Sequence, residues 1–271
     1  MNSALRAIVL DNDEASGSYL ILFDLWETLM RTSLGSVLTF KQILDFLIKK
    51  AGDYNIFRPG LIQFLETCVE LRDTYCIDAI IMYTHQNADF TWGNWSVPAL
   101  LATLMGHLVA ARRPMKRILF DYVLTLPPEG FQKEMNGWVL KKFDRILNLY
   151  PWKPRDIREI VFIDDNASPK YIEADSIDSD KKHASSWYKV SPYRIAYNAS
   201  IYRQFINELC EEYGVTISEE DAAIINSISR GARAERGRPV TYYPEDRTFL
   251  DLDMFVREKY HQVLRSKGLN R

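Results

Sequence analysis

The chain has 271 residues, of which 47% are hydrophobic and 26% charged, and its 34 Lys and Arg against 36 Asp and Glu give a net charge of −2. This composition excludes a disordered polyelectrolyte, which has few apolar residues and a large net charge. The three cysteines are too few for a disulfide framework. No apolar run approaches the ~20 residues of a transmembrane helix. We expect an intracellular protein, cytoplasmic or nuclear, without a membrane partner.

Four short apolar segments have the composition of strands that are buried on both faces of a parallel sheet. They are rich in Ile and Val, and they span residues 6–10, 77–83, 117–123 and 160–163. Helical patterns lie between them, at residues 39–50, 59–71, 98–113 and 134–149. Strands that alternate with helices predict βαβ crossovers, and hence an α/β fold with helices on both faces of a parallel sheet.

The last third of the chain differs, because its patterns predict helices alone. They span residues 199–213, 219–229 and 250–266, and the middle one opens on Ser218 and Asp221 in a capping-box pattern. We therefore predict an α/β domain over residues 1–190 and a helical C-terminal extension over residues 191–271. Four arginines between Arg230 and Arg238 favour a solvated loop, with a contact to nucleic-acid phosphates as the alternative.

Acidic and hydroxyl side chains follow the predicted strands, where open α/β sheets bind their ligands. Lysines on the helix before the last strand add positive charge. Carboxylates are the ligands that Mg²⁺ prefers, and a cation and a lysine together neutralise a transferring phosphoryl group. The pattern therefore predicts a Mg²⁺-dependent phosphoryl site. Its candidate residues are Asp11, Asp13, Thr84, Lys141, Lys142, Asp164 and Asp165.

The order of these residues resembles the four motifs of the haloacid dehalogenase (HAD) superfamily of phosphohydrolases: D-x-D, then Thr, then Lys, then Asp-Asp. Residues 58–60 (Arg-Pro-Gly), 81–84 (Ile-Met-Tyr-Thr) and 161–166 resemble the branch that includes the RNA polymerase C-terminal-domain phosphatases, the NLI-interacting-factor-like branch. The resemblance covers about residues 6–180. It implies a Rossmannoid parallel sheet and hydrolysis of phosphomonoesters through an aspartyl-phosphate.

The resemblance also implies a role for each candidate. Asp11 is the expected nucleophile and Asp13 the expected general acid and base, while Thr84 with Lys141 or Lys142 is expected to hold the phosphoryl oxygens. The residues expected to hold Mg²⁺ are Asp11, Asp13, Asp164 and Asp165. The branch implies a phosphoserine or phosphothreonine protein as substrate, and a small phosphomonoester or a nucleic-acid end remains open.

Two features depart from the family pattern. Ala15 stands where the family has a Thr. Lys141 lies 23 residues before Asp164 (164 − 141), a longer spacing than the family resemblance leads us to expect, so Lys142 or Lys133 is an alternative motif-three lysine. The sequence therefore leaves open a catalytically impaired module that serves as a structural or interaction protein.

A second segment, around Asp24, also resembles a HAD first motif. Its third position is Trp26, which cannot transfer protons, and the apolar residues around it have helical spacing. We therefore expect Asp11, and not Asp24, to be the nucleophile.

Overall fold

A computed structural model describes the chain over residues 5–11, 28–29, 31–54, 56–87, 91–92, 95–126, 146, 157–164, 184–189, 199–234 and 247–266. The strands in this part are β1 (Leu5–Asp11), β2 (Ala79–Asn87), β3 (Thr91–Trp92), β4 (Trp95–Ser96), β5 (Tyr122–Leu126), β6 (Ile157–Asp164) and β7 (Ala184–Lys189). The helices are α1 (Leu34–Val37), α2 (Phe40–Lys50), α3 (Leu61–Asp73), α4 (Val97–Arg112), α5 (Ala199–Tyr213), α6 (Glu219–Ala234) and α7 (Thr248–Ser266).

Five strands form one parallel sheet in the order β5-β2-β1-β6-β7. The predicted α/β fold with a parallel sheet is therefore confirmed. β1 lies in the centre of the sheet. The next strands along the chain, β2 and β5, lie on one side of it, and the later strands β6 and β7 lie on the other side. The change of direction between β1 and β6 is a topological switch point, where open α/β sheets leave a crevice at the carboxyl ends of their strands.

The two faces of the sheet carry alternate residues of each strand. Ile8, Leu10 and Met82 belong to a large core that includes residues of all seven helices named above. Ala7 and Val9 belong to a smaller cluster on the other face, which includes the helical residue Ile146. The rest of the helix predicted at residues 134–149 lies outside the described residues, so the described helices cover mainly the first face.

Helix α3 fixes the direction of the helical layer. Its last turn lies at the amino edge of the sheet, since Arg72 donates to the carbonyl oxygen of Leu119 (2.7 Å) and pairs with Asp121 (2.9 Å), just before β5 begins. Thirteen residues of α-helix span about 20 Å, so α3 begins at the opposite, carboxyl edge. Helix α7 runs in the same direction: Phe249 packs on Phe64 near the start of α3.

The described C-terminal helices share the main core with the sheet. Phe205 of α5, Ile225 of α6 and Leu252 of α7 are buried in the same cluster as Leu10 of β1. The predicted domain boundary at residue 190 lies outside the described residues and stays a prediction. In the part of the chain that is described, no helix combines the length and apolarity needed to cross a bilayer.

Three predicted elements have different bounds, each for a local reason. The third strand begins at Tyr122 and not at residue 117, because the Asp121 carboxylate and amide bind the backbone of Ile80 ahead of the parallel ladder. Helix α3 begins at Leu61, after Gly60 at φ +81°, so Pro59 precedes the helix and does not occupy its first turn. Helix α6 continues to Ala234, so the predicted loop that begins at Arg230 is helical over its first five residues.

Candidate functional site at the carboxyl edge of the sheet

The predicted site residues of three strands lie at the same level of the sheet. Asp11 is the last residue of β1 and pairs with Tyr83 of β2, so Thr84 follows one step beyond. On the other side, Leu10 pairs with Ile163, and Asp164, the last residue of β6, follows. Neighbouring strands lie about 4.8 Å apart. The backbones of Asp11, Thr84 and Asp164 therefore meet at one edge, across the switch point between β1 and β6.

Thr84 lies within β2 and not beyond its end, which corrects the predicted strand boundary of residue 83. It is fully buried, at 0% exposure. The ladder between β2 and β1 ends at Tyr83, and the pairing of β2 with β5 shifts between Tyr83 and Asn87. Thr84 is thus the first residue of β2 after the regular pairing with the central strand.

The other candidates are placed less fully. Asp13, Lys141, Lys142 and Asp165 lie outside the described residues, as do Ala15, Lys133 and Asp24, and Asp11 and Asp164 are placed through their backbones. Among the side chains that are described, no group of three or more His, Cys, Asp and Glu could hold a metal ion. Two aspartates at the ends of adjacent strands still supply the hard oxygen ligands that Mg²⁺ prefers. The residue types at this edge are those of a cation site, and the Mg²⁺ site stays a prediction.

The competing motif around Asp24 is described only at its end. Thr28 and Leu29 are helical and buried, and the Thr28 hydroxyl hydrogen-bonds the hydroxyl of Tyr202 in α5. Residues 5–11, by contrast, form the central strand of the sheet. Asp11 therefore ends a strand of the sheet, and its choice over Asp24 as the nucleophile stays a prediction.

A hairpin that the sequence analysis missed lies in the connection after β2. Strands β3 and β4 pair antiparallel, with Trp92 opposite Trp95. The signal was present in the sequence, because Gly93-Asn94 between short aromatic segments is typical of a two-residue hairpin turn. The hairpin follows the carboxyl end of β2, so it adds two tryptophans to the chain near this edge.

Polar contacts in the helical layer account for the pKa shifts that are clearest among the described residues. Glu208 accepts hydrogen bonds from Lys50 and Gln204, which lower its pKa to about 2. Burial raises the pKa of the Cys68 thiol. Hydrogen bonds from Ser33 lower the pKa of the Asp221 carboxyl. Glu208 joins α5 to α2 through Lys50, and Asp221 joins α6 to Ser33 at the start of α1, whereas Cys68 is a buried core thiol. We assign all three to stability.

Comparison with known proteins identifies no relative of this chain: no protein-family model, curated protein or solved structure matches it at a significant level. Any function assigned to the carboxyl edge therefore rests on the residues of this chain.

Proposed function

We propose that this chain is a HAD-like phosphomonoester hydrolase whose active site lies at the carboxyl edge, at the switch point of the sheet. One observation carries the proposal: the strand register brings the last residues of β1 and β6, Asp11 and Asp164, to one level, with Thr84 of β2 one residue beyond it. An aspartate pair with a hydroxyl residue suits a cation and an incoming phosphoryl group. Aspartates at different levels of the sheet would lie too far apart to hold one cation together.

The proposed reaction has two steps. The Asp11 carboxylate attacks phosphorus in line, a P–O bond to Asp11 forms, and the bond to the leaving oxygen breaks. Asp13 protonates that oxygen, and it then takes a proton from the water that hydrolyses the aspartyl-phosphate. Thr84 and Lys141 or Lys142 hold the phosphoryl oxygens. Mg²⁺, held by Asp11, Asp13, Asp164 and Asp165, would neutralise charge on the phosphoryl group.

The proposed substrate is a protein phosphorylated on serine or threonine, as the family resemblance implies. The carboxyl edge of an open sheet is where such folds bind their ligands, and this position alone does not distinguish a phosphate on a polymer from one on a small molecule. A nucleic-acid end is the other polymeric candidate.

Hydrolysis of p-nitrophenyl phosphate by the full chain, with and without Mg²⁺, tests the activity. We expect Mg²⁺-dependent turnover that Asp11→Asn reduces by at least about 1,000-fold, because the nucleophile is lost. Asp45→Asn is the matched control, since Asp45 is half exposed on α2 and pairs with Lys41 across its own helix turn. Parental turnover in Asp11→Asn would refute the assignment, and equal losses in both variants would show that the loss does not come from removal of the nucleophile.

The second candidate function is a catalytically impaired module with a structural or interaction role. Ala15 favours it, because the chain lacks a hydroxyl where the resembling family has a threonine. This candidate predicts a folded protein without Mg²⁺-dependent turnover. The same assay therefore separates the two.

A further inference from the structure

The Arg-Pro-Gly motif at residues 58–60 is the part of the resemblance that the proposed reaction does not use. Arg58 is buried, and its Nη2 donates to Thr248 Oγ1 over 2.7 Å. Its guanidinium carbon lies 5.8 Å from the centre of the Phe249 ring. A Cβ on Gly60 would lie 3.2 Å from both the backbone nitrogen of Leu250 and Cβ of Phe249. The motif and the first turn of α7 therefore form one tight contact, which we call the clamp (Arg58, Gly60, Thr248 and Phe249).

The clamp lies at the same edge of the sheet as the proposed site. Helix α3 ends at the amino edge through Arg72, so Gly60, before its first residue, lies at the carboxyl edge. Helix α3 is also the last helix of the connection from β1 to β2, which are adjacent and parallel. Such a connection packs back over its own two strands. The clamp therefore lies at the carboxyl edge, on the side of β1 and β2, the strands that carry Asp11 and Thr84.

We propose that the clamp positions the chain around the phosphate site, so that docking of the first turn of α7 is needed for tight phosphate binding. This inference rests on the proposed function. The four clamp residues are positioning residues. In the proposal they hold the Arg-Pro-Gly segment against the first turn of α7 and do not touch the reacting atoms. Chain segments around a site that are ordered before the ligand binds lose less conformational entropy on binding, which lowers the entropic cost.

The clamp can be loosened without undocking the whole of α7. Leu252 and Val256 are buried in the main core farther along this helix. Arg257 donates to Thr67 and lies 3.6 Å from the Glu70 carboxylate, which ties the middle of α7 to α3. A change at Thr248 should therefore disturb the carboxyl edge locally and leave the rest of the helix in place.

The first test compares Thr248→Val with Thr248→Ser in the full chain. Valine removes the oxygen that accepts from Arg58, and serine keeps it. Affinity for inorganic phosphate in the presence of Mg²⁺ is measured by calorimetry. The kinetic constants kcat and KM are measured for p-nitrophenyl phosphate hydrolysis, and Tm is measured by thermal unfolding. We expect Thr248→Val to weaken phosphate binding and to raise KM by about fivefold, with kcat within about twofold. Thr248→Ser should keep the phosphate affinity and KM of the parent.

A pair of glycines separates positioning from backbone strain. Gly60 and Gly214 both have positive φ, at +81° and +64°, so alanine is strained at either position. A Cβ at Gly214 meets nothing within 4 Å, whereas one at Gly60 meets the first turn of α7. We expect both alanine variants to lower Tm, and only Gly60→Ala to weaken phosphate binding.

Each outcome decides the proposal. Selective loss of phosphate affinity in Thr248→Val and Gly60→Ala supports it. Unchanged affinity in these variants, or equal weakening by valine and serine or by the two alanines, overturns the clamp and leaves the hydrolase proposal standing. A parental protein that neither binds inorganic phosphate nor hydrolyses p-nitrophenyl phosphate overturns the proposed function, and the proposed role of the clamp with it.

Discussion

Aspartates lie at both the amino edge and the carboxyl edge of the parallel sheet, but their surroundings differ. At the amino edge, Asp78 accepts from the backbone nitrogen of Arg6 (2.7 Å), and Asp121 accepts from that of Ile80 (2.9 Å) and pairs with Arg72. These carboxylates complete backbone pairing where strands begin. At the carboxyl edge, Asp11 and Asp164 end adjacent strands at one level. The aspartates of the amino edge therefore have a structural role, and we propose a chemical role for those of the carboxyl edge.

The largest effect on folding is expected at the amino edge. Arg72 is fully buried and Asp121 is 10% exposed, so Asp121→Ala leaves a buried guanidinium without this carboxylate. We expect a loss of about 3–5 kcal/mol in the free energy of unfolding, measured in urea. Asp251→Ala, at a half-exposed aspartate on α7, is the control and should cost under about 0.5 kcal/mol. A loss of similar size in both would contradict the structural role of the amino edge.

The opposite behaviour is expected of Asp164→Asn. We expect turnover to fall by roughly 100-fold and more Mg²⁺ to be needed for half-maximal rate, because a cation ligand loses its charge. The unfolding midpoint in urea should not fall. If Asp164→Asn unfolds the protein as Asp121→Ala does, the two edges do not differ in the way described.

Much of this contrast could be predicted from the sequence, but its geometry could not. Short Ile- and Val-rich segments predicted β1, β2 and β6, and the aspartates beside them were visible. The start of β5 was missed because Asp121 binds Ile80, a contact between residues distant in sequence. The polar strand β7 and the two-residue strands β3 and β4 give weak patterns. The alignment of Asp11 with Asp164 requires the strand order, which single-strand patterns do not contain.

A smaller effect is expected away from both edges, where the Ser33 hydroxyl and amide donate to Asp221 at the start of α6. Asp221 also completes half of the predicted capping box, since its amide donates to Ser218 Oγ (3.0 Å). These bonds hold the pKa of Asp221 below its ordinary value of 3.8. The ionised Asp221 carboxylate therefore stabilises the folded state above about pH 4. This contribution to the free energy of unfolding is lost as the pH falls through the pKa that Asp221 has in the folded state.

Ser33→Ala tests that sign. We expect it to lower the free energy of unfolding by about 1–2 kcal/mol at pH 7, with the difference from the parent narrowing below about pH 4. Ser36→Ala is the control, because the Ser36 hydroxyl donates to the carbonyl oxygen of Ser33 and to no carboxylate in the described contacts. A difference that widens in acid would show that the sign is wrong.

The smallest expected effect is a gain in stability at Tyr75. This residue has φ +59° after α3 and is 77% exposed, and its amide donates to the carbonyl oxygen of Arg72 while that of Cys76 donates to Leu71. These bonds form a Schellman motif, in which glycine is favoured at the left-handed position. Tyr75→Gly should add about 0.5–1 kcal/mol to the free energy of unfolding. Tyr75→Ala, which keeps the strain, should not.

The most direct test of the carboxyl-edge site is trapping of a phosphoryl analogue on Asp11. The full chain is mixed with Mg²⁺ and beryllofluoride, and bound fluoride is followed by ¹⁹F NMR in the parent, Asp11→Asn, Asp164→Asn and Asp45→Asn. The site described here predicts a bound signal in the parent and in Asp45→Asn, none in Asp11→Asn, and a weakened one in Asp164→Asn. A bound signal that survives Asp11→Asn, or no bound signal in folded parental protein, would contradict it.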